Sequence, residues 1–330
     1  WSFAIPGHFG MTRSRYGIAH FYDLVTVEAV PELVERLREA LAEAKLQARV
    51  KVAPEGVNGW ITGPQSAVEE FCECLKVEVP AFAQTDFKVS PCSESQLSRG
   101  VKVWESGSVC KLLDGEAYEE LGAKHRAPHL SPQEWHEKLQ NEKDLVLFDV
   151  RNFYETRIGR FEPRGVDCVD PHTLSYEQVP EFLSQEANLD RFRGKKVMMY
   201  CTGGVRCERA SALLKDSLGE EAEVFQLQGG IHRYLEAFPS GGYFSGAMYV
   251  FDRRRAVRGH DLLGQAEEGP HQVLGSCCLC SKDWEVYQGK WKCAECRMPI
   301  LICLHCQGRC SHEGRRHELR CELCRTDSAT

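Results

Sequence analysis

Apolar residues recur at helix and strand spacing between residues 18 and 114, and their order predicts a small α+β domain. Pro31 is expected to open a helix, because proline suits the first turn and the apolar positions after it share one helical face. The succession β-α-β-β-α-β is typical of a ferredoxin-like domain. The predicted strands are 21–27, 49–53, 60–62, 87–89 and 101–104, and the predicted helices are 31–44 and 65–76.

A second apolar pattern, between residues 127 and 256, predicts an α/β domain with a parallel sheet. Ser131, followed by proline and by Glu134 three positions later, has the form of a helix N-cap with a capping box. The next apolar run ends in Asp149 and Arg151, which we expect to support a site at the carboxyl edge of the sheet, where open α/β sheets bind ligands. The predicted strands are 145–151, 165–169, 197–200 and 223–226.

Changes in composition set the predicted boundaries. Glycine, lysine and histidine without periodicity mark the join between the two domains, and a Gly-Pro stretch precedes a cysteine-rich end. The predicted segments are a lead-in 1–17, the ferredoxin-like domain 18–114, a linker 115–126, the α/β domain with a following strand 127–256, a linker 257–276 and a small cysteine-rich region 277–330.

The loop after the strand 197–200 carries the clearest chemistry. Cys201 ends the strand, and the amides of the residues that follow can converge on one anion. The helix start and the Arg206 guanidinium add positive charge, so we predict a lowered pKa and a nucleophilic, catalytic Cys201. The alternative is a structural cysteine in an ordinary strand-to-helix turn. The active-site loop is assigned to Thr202, Gly203, Gly204, Val205, Arg206 and Cys207.

Two residues near this loop have roles that the sequence leaves open. Cys207 is either a resolving thiol or, because it lies at the junction of loop and helix, a packing residue. His232, in the sequence Gly229-Gly230-Ile231-His232, is either a base for Cys201 or a capping residue at a helix start.

The cysteine-rich end has the spacing of a metal-binding region. Its four Cys-x-x-Cys pairs are separated by 12, 6 and 14 residues and supply eight thiolates, enough for two structural zinc ions in tetrahedral sites. Iron–sulfur ligation is the less favoured alternative, and no organic cofactor is evident. Sequential and interleaved pairing are both compatible with the spacing. The predicted ligands are Cys277, Cys280, Cys293, Cys296, Cys303, Cys306, Cys321 and Cys324, with Cys278, Cys310, His305, His312 and His317 as possible substitutes.

Composition narrows the classes of function. The net charge of -7 argues against a generally polyanion-binding surface, although local basic patches such as 253–255 remain. No apolar stretch is long enough for a membrane span, and the first residues do not resemble a secretion signal. Seven of the 17 cysteines lie in residues 1–276 and ten in 277–330, which favours metal ligation in a reducing compartment, the cytoplasm or the nucleus.

Several motifs together resemble the rhodanese domain and, more closely, the bacterial tRNA uridine hydroxylase family with its eukaryotic thiosulfate sulfurtransferase/rhodanese-like relatives. The similarity covers residues 20–256. Two departures, at 162–165 and at Trp60, are expected to alter the pocket wall. The matching motifs are Ala53-Pro-Glu-Gly-Val-Asn-Gly59, Asp149-Val-Arg-Asn-Phe-Tyr-Glu155, Ile158-Gly-Arg-Phe161, Cys201-Thr-Gly-Gly-Val-Arg-Cys-Glu-Arg-Ala-Ser211 and Tyr249-Val-Phe-Asp-Arg253.

The resemblance implies a tRNA substrate and oxygen-dependent formation of 5-hydroxyuridine at the wobble position, with Cys201 essential. A six-residue loop from Cys201 to Arg206 also resembles that of sulfurtransferases, in which Cys201 would carry a persulfide from a donor such as thiosulfate to an acceptor. A third hypothesis is a non-enzymatic module that recruits a protein partner through its zinc region. The complete charged loop favours an enzyme.

Overall fold

The computed structural model describes residues 15–112, 126–219, 222–265, 271–312 and 315–326. Most of the predicted lead-in 1–17 and nearly all of the predicted linker 115–126 lie outside these ranges. The first strand begins at Tyr16, so the ferredoxin-like domain starts earlier than the apolar pattern indicated.

The N-terminal domain is the predicted ferredoxin-like sandwich with one added strand. The strand order is β4-β1-β3-β2-β5, with antiparallel neighbours except that β5 runs parallel to β2 at the edge. Both helices bury apolar faces against one side of this sheet, in a core that includes Phe21, Leu37 and Phe82. The elements are β1 (Tyr16–Asp23), α1 (Val30–Glu43), β2 (Gln47–Ala53), β3 (Gly56–Pro64), α2 (Gln65–Glu78), β4 (Lys88–Cys92) and β5 (Val101–Glu105).

The central domain contains the predicted parallel sheet, in the order β6-β11-β10-β7-β9. The Ser131 capping box is confirmed, since Ser131 N donates to the Glu134 carboxylate at 2.8 Å and Glu134 N donates to Ser131 Oγ at 3.2 Å. The elements are β6 (His129–Leu130), α3 (Pro132–Asn141), β7 (Leu145–Asp149), α4 (Phe153–Thr156), β8 (Gly159–Phe161), β9 (Asp167–Val169), α5 (Val179–Leu183), α6 (Glu186–Leu189), β10 (Lys196–Tyr200), α7 (Val205–Leu218), β11 (Val224–Leu227) and α8 (Gly230–Ala237).

The chain remains folded beyond the predicted end of this domain at residue 256. Within the predicted linker 257–276, a helix at Gly259–Leu263 packs so closely that a Cβ at Gly259 would lie 2.5 Å from Pro239 Cα. The remaining elements are β12 (Phe244–Gly246), β13 (Met248–Tyr249), β14 (Ala256–Val257), α9 (Gly259–Leu263), α10 (Leu304–His312) and α11 (Glu322–Thr326). None of the helices in the described ranges is long and apolar enough to cross a membrane.

The cysteine-rich region packs against the central domain around the short helix α4. Tyr154 of α4 lies edge-on to Tyr249 and to Tyr287, with ring centroids 5.1 and 6.0 Å apart. Arg157, directly after α4, donates to the Glu322 carboxylate at 2.6 Å. The region and α4 therefore share one core, and disturbance of either is expected to reach the other.

The ferredoxin-like and central domains are joined by ion pairs at helix α7. Glu55, in the turn between β2 and β3, pairs with Arg209 and accepts from Val109 N at 2.7 Å. Tyr22 of β1 donates to the Glu208 carboxylate at 3.5 Å. These contacts place the side of the first sheet that carries no helix against the loop that contains Cys201.

Candidate active site and metal centres

Cys201 lies at the carboxyl end of β10, where the parallel sheet meets the start of α7. Its side chain is fully buried and borders a cavity that opens to solvent. The amide of Gly204 donates to Cys201 Sγ at 3.1 Å, so the loop folds back over the sulfur as the sequence predicted for an anion cradle.

The loop is held in place by a buried ion pair that no local sequence pattern indicated. Arg206 donates to both oxygens of Glu155 in α4, at 2.6 and 2.7 Å, and Thr202 Oγ1 donates to the same carboxylate at 3.1 Å. The Tyr176 hydroxyl donates to the Arg206 carbonyl at 2.7 Å. Because Glu155 orients Arg206, it is a positioning residue for the positive charge beside Cys201.

This environment stabilises a thiolate at Cys201. Burial alone would raise the pKa of Cys201, but a hydrogen bond from Cys207, the Arg206 charge and the amides of Arg206 and Gly204 outweigh it and lower the pKa to about 5. Cys207 shows the opposite behaviour, since burial and the neighbouring Cys201 charge raise its pKa well above the ordinary value. Cys207 is therefore a thiol that donates to the Cys201 thiolate.

Alkylation of Cys201 is expected to follow its thiolate fraction, with a midpoint near pH 5 and a plateau above it, because only the thiolate is nucleophilic. Iodoacetamide labelling between pH 4 and 9, resolved by peptide mass spectrometry, measures this. Cys110 borders the same cavity, and burial raises its pKa to about 11, so it should stay unlabelled over this range. A midpoint for Cys201 at or above pH 8 would contradict the proposed thiolate.

Two glycines allow the loop to approach its neighbours closely. Gly204 has φ +105°, and a Cβ there would lie 2.7 Å from the Tyr22 hydroxyl of the ferredoxin-like domain. Gly230 has φ +67°, and a Cβ there would lie 2.6 Å from the carbonyl oxygens of Cys201 and Thr202. The Ile231 amide donates to the Cys201 carbonyl at 3.0 Å. Both sites require glycine because backbone angle and space exclude a side chain.

Asp149 and Arg151 lie at the carboxyl edge as predicted, but they bind each other. Arg151 donates to both Asp149 oxygens, at 2.8 and 2.6 Å, and to the Gly159 carbonyl at 2.7 Å. The guanidinium also lies over the Tyr200 ring at 5.6 Å. The pair therefore ties β7 to β8 and supports the sheet beneath the site, while Glu155 makes the contact with the active-site loop.

The loop opens into a cavity of about 410 Å³ between the two domains. Both walls combine aromatic rings with cationic groups. Trp60 lines this cavity, as expected of a departure that alters the pocket wall, whereas residues 162–165 are absent from the described lining. The lining includes His20, Tyr22, Lys51, Asn58, Trp60 and Lys88 from the first domain, and Tyr176, Cys201, Arg206, His232 and Phe251 from beyond it.

The half-buried His20 and the buried His232 lie beside each other in the wall of this cavity, with ring centroids 6.1 Å apart. Burial lowers the pKa of His232 to about 4 against the raising effect of Glu236, 3.3 Å away. Burial also lowers the pKa of His20, although Asp252 lies 3.0 Å from its ring nitrogen. Both rings are therefore neutral near pH 7. His232, for which the sequence left a base and a capping residue open, lies in the cavity wall.

Several of these residues were missed because they approach Cys201 only through tertiary contacts. Glu155 is 46 positions away, and its only sequence signal was its place in the Asp149–Glu155 motif. Tyr22 and His20 alternate along β1 with core residues, so they lie on the side of the sheet away from the helices. The sequence does not show that another domain covers this side and encloses a cavity there.

The predicted metal ligands form two groups of four thiols, each with its sulfur atoms within 4.8 Å of one another. The pairing is interleaved, first pair with third and second with fourth. A tetrahedral zinc with Zn–S bonds of about 2.3 Å needs sulfur atoms about 3.8 Å apart, and Cys280 Sγ lies 3.7 Å from Cys303 Sγ. The groups are Cys277, Cys280, Cys303 and Cys306, and Cys293, Cys296, Cys321 and Cys324.

The possible substitute ligands are not needed to complete these groups. Cys278 is adjacent to a ligand but belongs to neither group, and Cys310 and His305 are likewise outside them. His317 is exposed beside Glu318, and the side chain of His312 lies outside the described residues. The donor set, all thiols at tetrahedral spacing, fits a closed structural metal site.

Comparison with known proteins agrees with this architecture. Residues 16–125 match the UPF0176 acylphosphatase-like domain, residues 132–237 the rhodanese-like domain and residues 245–325 the rhodanese C-terminal domain. Rhodanese-like domain-containing protein 6 of Arabidopsis thaliana is 36% identical over 330 residues, which cover 94% of this chain and 53% of that protein. The chain thus spans about half the length of this relative.

Two bacterial relatives are covered over most of their length, and both are named tRNA uridine(34) hydroxylase. The protein of Chlamydia abortus is 30% identical over 92% of this chain and 87% of its own length. The protein of Teredinibacter turnerae is 33% identical over 80% of this chain and 77% of its own length. With this similarity across all three regions, the chain belongs to the tRNA uridine(34) hydroxylase family of rhodanese-fold enzymes.

Proposed function

We propose that this protein hydroxylates the wobble uridine of tRNA, with Cys201 as the catalytic residue. The cavity carries the proposal, because it joins a thiolate to aromatic and cationic side chains from two domains. A flipped-out nucleobase needs an apolar slot of this kind with polar groups for its edge and cations for its phosphates. Thiosulfate alone would not need a cavity of about 410 Å³.

A role for the thiolate follows from the chemistry of uracil, whose C6 is electrophilic. The Cys201 sulfur forms a bond to C6, which makes C5 nucleophilic, and C5 bonds to dioxygen and takes up a proton as a hydroperoxide. Two molecules of a thiol reductant supply two electrons and two protons and are oxidised to a disulfide, which cleaves the O–O bond to leave a C5 hydroxyl and water. Loss of the C5 proton and of the thiolate restores the ring. The net reaction consumes dioxygen, two electrons and two protons.

The surrounding residues serve these steps without themselves being oxidised. Arg206, the loop amides and the Cys207 thiol hold the thiolate both before addition and after elimination. The neutral rings of His20 and His232 border the cavity and can accept the C5 proton. Glu155 keeps Arg206 in place throughout.

Nucleoside mass spectrometry tests the proposal. Purified protein incubated with unmodified tRNA, dioxygen and a thiol reductant is expected to form 5-hydroxyuridine at the first anticodon position, and anaerobic incubation should form none. Cells lacking the protein should lose the same modification. Unchanged nucleosides in both experiments would refute the proposal.

Sulfur transfer is the second candidate, and the loop itself favours it. The six residues from Cys201 to Arg206, with the Gly204 amide 3.1 Å from the sulfur, can also stabilise a persulfide. In that reaction the thiolate attacks the sulfane sulfur of thiosulfate, a Cys201 persulfide forms and sulfite leaves. Incubation with thiosulfate, without tRNA or a thiol reductant, distinguishes the two, since sulfur transfer predicts sulfite release and a mass increase of one sulfur on Cys201 without any need for dioxygen.

We further propose that each of the two four-cysteine groups holds a structural zinc ion. We also propose that the protein acts in a reducing compartment such as the cytoplasm. Closed sites of four cysteines are the usual structural zinc sites, and thiols persist as ligands where disulfides do not form.

A further inference from the structure

The ferredoxin-like sheet has one side without helices, and its side chains there lie in two rows across the strands. We call these residues the open sheet face. They alternate with the core residues that contact α1 and α2, so they point away from the helices. The first row is Lys88, His20, Trp60, Arg49 and Lys102, and the second is Tyr22, Asn58, Lys51 and Trp104.

The open sheet face is continuous with the catalytic cavity. Its half on β4, β1 and β3 lines the cavity together with Cys201, and Lys51 of β2 does so as well. The other half, on β2 and β5, lies further out and includes the exposed Lys102 and the half-buried Trp104. A nucleic-acid strand with one base in the cavity would therefore continue across strands β2 and β5.

The outer half carries cationic groups that are not neutralised by carboxylates. Arg49 donates to the carbonyl oxygens of Arg99 and Gly100, at 2.7 and 2.9 Å, and Lys51 donates to the Val109 carbonyl at 3.3 Å. Lys102 Nζ lies over the Trp104 ring at 5.0 Å. Within the described part of the chain none of these three cations forms an ion pair, so no carboxylate there competes with a ligand for them.

We infer that the open sheet face is a binding platform for single-stranded RNA, on which nucleotides beside the reacting one stack on Trp104 and Trp60 while Arg49, Lys51 and Lys102 contact phosphates. The inference rests on the proposed function for its choice of RNA. Alternating aromatic and cationic side chains on an exposed sheet are what single-stranded nucleic acid requires, because bases stack on rings and phosphates bind cations. A partner protein rich in aspartate and glutamate would bind the cations but would not need the tryptophans.

The open sheet face also explains how this protein can bind RNA although its net charge is negative. The net charge of -7 is an average, whereas the five-residue row places Trp60, Arg49 and Lys102 side by side on neighbouring strands. The sheet places them in a line at intervals of about 4.8 Å, the spacing of neighbouring strands. Binding should therefore depend steeply on salt.

Fluorescence anisotropy with a labelled anticodon stem-loop tests the inference, with all variants in a Cys201→Ser background so that binding is measured without turnover. The double variant Arg49→Ala/Lys102→Ala is expected to bind at least tenfold more weakly and to show a salt slope smaller by about two. Trp104→Leu should bind about tenfold more weakly, and Trp104→Phe should restore most of that loss because it keeps a stacking ring.

Arg36→Ala is the matched control, since Arg36 is exposed on α1, on the opposite side of the sheet. It should bind as tightly as the parent protein. Equal affinity for parent and face variants, or an equal loss in Arg36→Ala, would overturn the platform, as would polyglutamate competing as well as RNA. Crosslinks from 4-thiouridine to peptides of β2 and β5 should confirm the location if a variant folds poorly. Turnover is read separately, so failure of the platform is distinct from failure of the hydroxylation.

Discussion

Replacement of Cys201 by serine is expected to lower the rate of 5-hydroxyuridine formation by at least about 10³-fold. A serine hydroxyl stays protonated where the thiolate of Cys201, with its pKa lowered to about 5, is fully formed at neutral pH. The change conserves size, so the loop and cavity should persist. Single-turnover assays with saturating tRNA, read by nucleoside mass spectrometry, measure the effect on the chemical step.

Cys168→Ser is the matched control for this experiment. Cys168 is an exposed residue of β9 in the same domain, and its nearest described partner is the Val166 carbonyl at 3.6 Å. This variant should retain the full rate. Retention of a tenth or more of the rate by Cys201→Ser, with tRNA bound normally, would remove Cys201 from the catalytic step.

Removal of the metal is expected to unfold the region from Cys277 to Cys324. The binding free energy of such a metal, about 10 kcal/mol or more per site, is also folding free energy for a small region of this kind. The full chain, treated with a strong chelator, should lose two metal ions, become sensitive to protease beyond residue 271 and unfold at a lower temperature. Elemental analysis, limited proteolysis and calorimetry measure these three effects.

Removal of the metal should also change the pKa of Cys201 in the active site. The region buries Tyr154 of α4, and α4 also carries Glu155, which orients Arg206. Loss of metal should therefore raise the midpoint of Cys201 alkylation above pH 5, because the positive charge beside the thiolate is no longer fixed. An unaltered midpoint in metal-free protein would show that α4 holds Glu155 without support from the cysteine-rich region.

Neighbouring cysteines provide the control for the metal experiment. Cys280→Ser removes a predicted ligand, whereas Cys278→Ser changes a thiol that lies outside both groups. Only Cys280→Ser should lower the metal content and the unfolding temperature. Equal metal loss in the two variants would contradict the ligand groups.

Local chemistry was readable from the sequence because its parts lie close together along the chain. The loop from Cys201 to Cys207 encodes its own anion cradle, and each Cys-x-x-Cys pair encodes half of a metal site. The helix and strand periods also predicted both sheets. The first strand was predicted at 21–27 but spans 16–23, because its first residues are only partly apolar. The predicted linker 257–276 contains helix α9, which has only five residues and therefore a weak periodic signal.

Contacts between distant segments were decided by the tertiary structure. Asp149 and Arg151 pair with each other beneath the site, and it is Glu155 that holds Arg206. The interleaving of the cysteine pairs depends on how the region folds over α4, which spacing does not specify.

The sequence by itself therefore indicated a thiol at the start of an anion-binding loop, cysteine pairs at metal-ligand spacing and the two sheet types, because each depends on neighbouring residues or on a repeating period. Only the tertiary structure decided what faces that thiol. The cavity and the open sheet face arise where β1, β2, β3 and β5 bring single residues into register and dock them on another domain. Such register depends on hydrogen bonds between strands far apart in the chain, which no local pattern records.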